Sequence, residues 1–183
     1  KAEPFVVHWE GQFSNIQSSQ LQLEKFVGAG TWRAPELQMT NLNAELYDGK
    51  IAASAQLNVA TREVRAKVSS DVDLQKIAAL LPPSGQRALA DFVWEKPPEL
   101  AGEVRAILPA WTNRSTNWQK EILPTLELNG HVSVGRSVYR AVPVTSVKTD
   151  FTCSNGVWTL PNLRVSRPEG GVDLALSANE QTH

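Results

Sequence analysis

The chain has 183 residues, with 18 Lys plus Arg against 19 Asp plus Glu and a net charge of −1. That balance excludes a non-specific nucleic-acid binder, which carries a basic excess or stripe, and it implies no electrostatic partner. A hydrophobic share of 42% is that of a folded protein. The length is that of one domain burying roughly 70% of its unfolded surface, and no apolar run approaches the ~20 residues of a membrane-spanning helix.

The single cysteine, Cys153, permits no internal disulfide. Its phase in an alternating segment makes it a small buried residue rather than a nucleophile, which needs an activated thiolate and a His partner. The first residue is Lys1 rather than Met, which suggests a processed or excised piece, in which an upstream signal or anchor would not be visible.

In chain order, Phe5–Trp9 is a short apolar strand followed by Gly11. Residues 16–26 alternate as a second strand, with Leu21 and Leu23 on one face, interrupted by Gly28-Ala29-Gly30. That glycine pair is no phosphate loop, because no Lys-Ser/Thr and no helix pattern follow it. Residues 32–40 form another strand with Leu37 and Met39 in phase, and Pro35 marks an edge or a strand start. The central segment runs from Ala44 to Leu81. Asp48-Gly49 supplies the positive φ of a tight hairpin. From Ile51 to Val59 the odd positions are apolar, so one face is dry and the other wet. A turn at 60–62 leads to a strand over Glu63–Ser70. Leu74, Ile77, Ala78 and Leu81 then make a helical stripe that Asp71 or Asp73 caps and Pro82-Pro83 ends. Ser84 caps a second helix carrying Leu89, Phe92 and Val93, which stops before Pro97-Pro98.

Strand returns over Leu100–Leu108. Residues 109–119 are a polar loop with Trp111, Trp118 and the glycosylation-like triplet Asn113-Arg114-Ser115. Thr125–Val134 alternates, placing His131 on the polar face. Gly135-Arg136-Ser137 turns the chain into a strand over Val138–Val142, and the pattern continues through Val147, Phe151 and Cys153. Asn155-Gly156 is a type I′ hairpin signal, followed by strands over Val157–Val165 and Val172–Ala178. The expected fold is mainly β: a curved antiparallel meander, an open groove or sandwich-like, with one or two short helices around residues 72–93. It is expected as a single β-rich domain over 1–183, a fragment of a longer protein. A weak internal repeat relates 32–59 to 158–178, where Pro35…Asp48-Gly49 resembles Pro161…Glu169-Gly170.

No paired carboxylates, Ser-His-Asp order or metal-ligand spacing emerges, so neither an enzyme nor a metal or cofactor is expected. His8 has no second ligand at metal spacing, and His183 is terminal. Function must then come from the apolar face of a sheet.

Leu42-Asn-Ala-Glu-Leu-Tyr-Asp-Gly-Lys-Ile51, the turn at 60–61, Ser69–Leu74, Leu126–Gly130 and Phe151–Gly170 together resemble the AsmA-like family of Gram-negative envelope proteins. The resemblance implies a long curled β-sheet, open along one side, with a hydrophobic groove that carries lipid acyl chains between inner and outer membranes. It also implies a periplasmic location, anchored to the inner membrane through a segment absent here, with phospholipid or another lipid as partner. Such a groove would be lined by the in-phase set Ile51, Leu57, Val59, Val64, Val68, Leu126, Leu128, Val132, Val134, Phe151, Val172, Leu174 and Leu176. The competing expectation is a ligand-free structural or interaction module of the envelope whose apolar face is closed core.

Overall fold

The computed structural model describes residues 5–17, 22–80, 83–115 and 117–179. Among the described residues the protein is mainly β, with few helical residues. Ten strands form one open antiparallel sheet: β1 (Val6–Gln17), β2 (Gln22–Arg33), β3 (Glu36–Leu46), β4 (Gly49–Asn58), β5 (Glu63–Ser70), β7 (Glu99–Ile107), β8 (Glu127–Val134), β11 (Ser146–Ser154), β12 (Val157–Arg167) and β13 (Gly170–Asn179). They pair in this order, each with its predecessor, as a continuous meander. A small sheet of β6 (Phe92–Trp94), β9 (Ser137–Tyr139) and β10 (Val142–Val144), in the order β10-β9-β6, sits on the excursions that leave the large sheet after β5 and β8. No sheet of comparable size packs on the large one among the described residues.

Alternation sets the two faces, and the register carries each face from strand to strand. One row reads Ala53, Val68, Gly102, Gly130, Phe151 across β4, β5, β7, β8 and β11. Its wet neighbour reads Ser54, Lys67, Glu103, Asn129, Thr152. Two bulges keep the phase where the sequence breaks it. Thr40-Asn41 on β3 opposes Ser54 alone, so Met39 and Leu42 both stay on the apolar face. Pro161-Asn162 on β12 opposes Ala175 alone and does the same for Leu160 and Leu163. Each bulge ends five residues before the last strand residue of its hairpin, Leu46 or Arg167. Pro35 and Pro161 are not equivalent: Pro35 lies in the β2–β3 turn and Pro161 within the β12 bulge.

Several expectations need correction. Residues 16–26 are not one strand but the end of β1 and the start of β2, while Leu21 lies outside the described residues. Gly28-Ala29-Gly30 does not interrupt β2, which runs through it. A Cβ at Gly30 would lie 2.8 Å from the Trp9 ring and 2.1 Å from the Gln38 carbonyl, so the glycine accommodates an indole laid across the strand. Trp32 and Arg33 close β2 rather than opening the next strand. In the central hairpin the positive φ values fall on Tyr47 (51°) and Asp48 (63°), and Gly49 already pairs with Leu46 in the ladder. Gly49 instead yields space to Val72, whose Cα would lie 2.6 Å from a Cβ there. The positive φ at Asn155 and Gly156 agrees with the expected type I′ turn.

The helical stripe beginning at Leu74 forms no α-helix among the described residues, and Leu81 and Pro82 lie outside them. A turn over 74–77 and a 3-10 turn (Ala78–Leu80) stand there. A short segment gains little from helix propensity alone, and the two aspartates at its start are bonded to neighbouring elements. Asp71 Oδ1 accepts from the Lys50 backbone N–H (2.6 Å), and Asp73 Oδ1 accepts from Gln75 N–H (3.0 Å) and Trp94 Nε1–H (3.2 Å). The eight-residue helix α1 (Pro83–Ala90) opens on Pro83, which suits a first turn, so Ser84 is inside it rather than its cap. Phe92 and Val93 belong to β6, where Phe92 packs on Tyr139 with ring centroids 4.7 Å apart. The expected single strand over 138–142 is the β9–β10 hairpin, turning on Arg140 and Ala141 at positive φ without a glycine signal. The loop 109–119 gives way at Trp118 to one helical turn, α2 (Trp118–Glu121).

The burial is that of an open sheet. Accessible surface is 12500 Å², against about 8,700 Å² for a compact monomer of 20.1 kDa. Roughly 57% of the unfolded surface is buried, below the expected 70%. Buried apolar side chains collect mostly near the excursions: Leu46, Val72 and Val144 at one end of the strands, Ala106 and Ile122 at the other.

Two substitutions test this reading of the glycines. Gly49→Ala drives a methyl into the Val72 backbone and costs about 1–3 kcal/mol of unfolding free energy. Gly135→Ala, with nothing within 4 Å of the added carbon, stays within about 0.5 kcal/mol. Urea denaturation of both variants measures the difference.

Candidate functional site: the uncovered apolar face

Eleven of the thirteen predicted lining residues lie in strands on one face of the large sheet. Leu57 stands opposite Val64, Val68 shares its row with Phe151, and Leu128 neighbours Val104 and Cys153. Val134, Val147, Val165 and Val172 make a row near one end of the strands. The other two are displaced. Val59 is in the turn after β4, where its carbonyl accepts from Trp111 Nε1–H (3.0 Å), and Leu126 precedes β8. Most of the lining is half-buried, while Val172, Leu174 and Leu176 on the edge strand are 54%, 49% and 43% exposed in the order Val172, Leu176, Leu174.

The face has more residues than the alternation of isolated segments marked out. Leu42, Leu160 and Leu163 join it because the bulges restore their phase. Two consecutive non-apolar residues between apolar ones, Thr40-Asn41 and Pro161-Asn162, are the sequence signal for this. Thr149, polar by type, stands on the face opposite Val132 and is buried, its hydroxyl donating to the Asp150 carbonyl (2.7 Å). Cys153 is 1% exposed, in agreement with its reading as a packed residue. In mid-sheet the side chains are small. Gly102 pairs with Gly130, and the Phe151 ring lies over Gly130, 2.6 Å from where its Cβ would be.

The opposite face is polar and carries the titratable groups. Glu63 Oε1 accepts from Arg65 Nε (2.8 Å) and Arg105 Nε (2.7 Å), and Arg105 reaches Glu127 at 3.5 Å. Arg65 first and Arg105 second hold the Glu63 carboxyl below its ordinary value. Lys67 pairs with Glu103 at 2.6 Å. His131 Nδ1 lies 2.9 Å from Asp150 Oδ1, and Asn162 Nδ2 donates to Asp150 Oδ2 (2.6 Å). Together they depress the Asp150 carboxyl, His131 foremost. His131 is thus on the polar face as expected, and paired there. A recess of about 810 Å³ lies on this wet side over Ser54, Lys67, Glu103 and His131. It brings no nucleophile within hydrogen-bonding distance of His131 in the described contacts. The apolar face therefore remains the candidate, because its exposed hydrocarbon is the feature an aqueous protein does not keep without use. No group of three metal-ligating side chains occurs among the described residues. Asn113 of the glycosylation-like triplet is engaged, its Nδ2 donating to both Glu121 carboxylate oxygens (3.2 and 2.9 Å).

No protein-family model, curated protein or solved structure matches the chain.

The wet-face carboxylates give a pH dependence of fixed sign. A carboxyl depressed in the folded state adds stability that is present above its unfolded pKa, near pH 4, and is lost as pH falls through the folded value. The melting temperature should therefore drop as pH is lowered from about 5 to about 2.5. Glu63→Gln should melt lower at pH 6 and show a shallower acid decline, as followed by circular dichroism.

Proposed function

We propose that the apolar face of the large sheet binds lipid acyl chains, and that the protein serves lipid transport between the membranes of a Gram-negative envelope, in the manner its resemblance to AsmA-like proteins implies. The observation that carries the reading is the uncovered hydrocarbon of one continuous face. Such a face suits extended hydrocarbon, since an acyl chain gains about 0.8 kcal/mol for each methylene taken from water. At mid-sheet Gly102 and Gly130 add no side chain beside Val68, Val104 and Leu128. The reading places the protein in the periplasm, held at the inner membrane by a segment outside this sequence. Among the described residues no helix is long and apolar enough to cross a membrane.

Native mass spectrometry of the gently purified protein, with lipid extraction of the same sample, tests this. Phospholipid at a reproducible stoichiometry is the expected result. A bare mass, unchanged after incubation with phosphatidylethanolamine–phosphatidylglycerol vesicles, overturns it in favour of a ligand-free envelope module. Val68→Lys places a charge where the acyl chain would lie, and retained lipid should fall roughly tenfold or more. Because Val68 is only half-buried, the lysine can reach water and the cooperative melt should persist.

A further inference from the structure

We propose that the outer half of the small sheet is a membrane-docking tip, which enters the interface of a bilayer carrying anionic lipid. Register sorts this sheet into three rows across β6, β9 and β10. They read Phe92, Tyr139, Val142; then Val93, Val138, Pro143; then Trp94, Ser137, Val144. The third row adjoins the large sheet: the next residue, Thr145, donates its backbone N–H to the Ser166 carbonyl, and Ser137 and Val144 are buried. The other two rows stand farther out and differ in character. Tyr139 and Val142 are exposed in the first, and Val93 (64%), Val138 and Pro143 in the second. Successive residues of a strand face opposite sides, so the outer half shows hydrocarbon on both of its faces.

Hydrocarbon on both faces selects the occupant. A helix or sheet of a partner protein laid against the small sheet covers one face and leaves the other wet. The nine residues of the three strands are also far fewer than the roughly 20–30 a side of a stable protein interface. A bilayer interface surrounds what enters it and takes both faces at once. The charges agree. Residues 83–96 and 136–144 carry four cations, Arg87, Lys96, Arg136 and Arg140, against two acids, Asp91 and Glu95, in a chain of net charge −1. Basic residues beside an apolar patch are drawn to the negative surface of anionic lipid. Arg140, at the β9–β10 turn, lies 5.5 Å from the centroid of the Tyr139 ring and pairs with Asp91 at 2.8 Å. Tyrosine and arginine suit the headgroup layer, with ring and side-chain stem in hydrocarbon and the polar ends toward phosphate. The tip stands at the strand end that carries the row Val134, Val147, Val165, Val172 of the apolar face, so a lipid leaving the bilayer there would meet that row first. This last step rests on the acyl-chain reading, and the docking itself does not.

Flotation with vesicles tests the docking. The protein should float with phosphatidylethanolamine–phosphatidylglycerol vesicles and partition into phosphatidylcholine vesicles about threefold more weakly or less. Val93→Glu and Val142→Glu change exposed residues on opposite faces of the small sheet. Each should lower partition into the anionic vesicles roughly tenfold and keep the cooperative melt of the unmodified protein. Val68→Lys, on the acyl-chain face, should leave partition within about twofold. Flotation that survives while native mass spectrometry finds no bound lipid therefore strikes the acyl-chain reading and spares the docking. An unmodified protein that does not float, or equal partition into both vesicle types, overturns the proposal. So does a loss seen in neither glutamate variant or in only one, the latter being the result of a partner that covers a single face.

Discussion

The structure depends on one constraint: the backbone ladder must run unbroken through ten strands while every strand presents the same side-chain phase. Because the side-chain period in a strand is two, a slip of one residue would exchange the dry and wet faces over the rest of the sheet. The chain meets the constraint by ordinary alternation in β4, β5, β7 and β8, and by bulges where β3 and β12 carry two consecutive non-apolar residues. The excursions do not disturb it. The chain leaves after Ser70, builds the 3-10 turn, α1 and β6, and returns at Glu99 to pair with the strand it left, Leu100 opposite Ser70.

A ladder that satisfies its own backbone groups does not need a second layer to exist, but it needs apolar burial to be stable. Here that burial is concentrated toward the strand ends. Val72 fits against Gly49, and Asp71 and Asp73 tie the same excursion to Lys50 and Trp94. At the other end Trp111 bonds the turn after β4, and Ile122, within the 108–126 segment, is buried. Between these clamps the face is held by cross-strand rows and by aromatic rings lying over glycines, Trp9 on Gly30 and Phe151 on Gly130. Such a ring covers backbone that a larger residue would have covered, and it lets the strands approach without side-chain bulk between them. The wet face contributes cross-strand ion pairs, each worth little at this exposure, though Glu63 joins β5 to β7 through Arg105.

The large strands were legible because period two is a strong local signal, and it placed Ile51, Leu57, Val64, Val68, Leu128 and Phe151 on one face correctly. Asn155-Gly156 was legible because its residues tolerate positive φ. The Arg140-Ala141 turn was not, because neither residue advertises the conformation that the small sheet imposes. Asp48-Gly49 pointed to the right hairpin and the wrong positions. The glycine's function there is a tertiary contact with Val72, which no local pattern reveals. The helix expected over 74–81 failed for a related reason. Its apolar spacing is genuine, but tertiary bonds from Asp71 and Asp73 outweigh the weak propensity of so short a segment. Val59 and Leu126 fell off the face because alternation continues past the point where the ladder stops.

What alternation leaves open is what lies on the dry side, and the surface area narrows that question. A sandwich of this length would approach the accessible area of a compact monomer, and this chain exceeds it by about 3,800 Å². The excess follows from the architecture, since a single sheet this wide has far more face than the short excursions can cover.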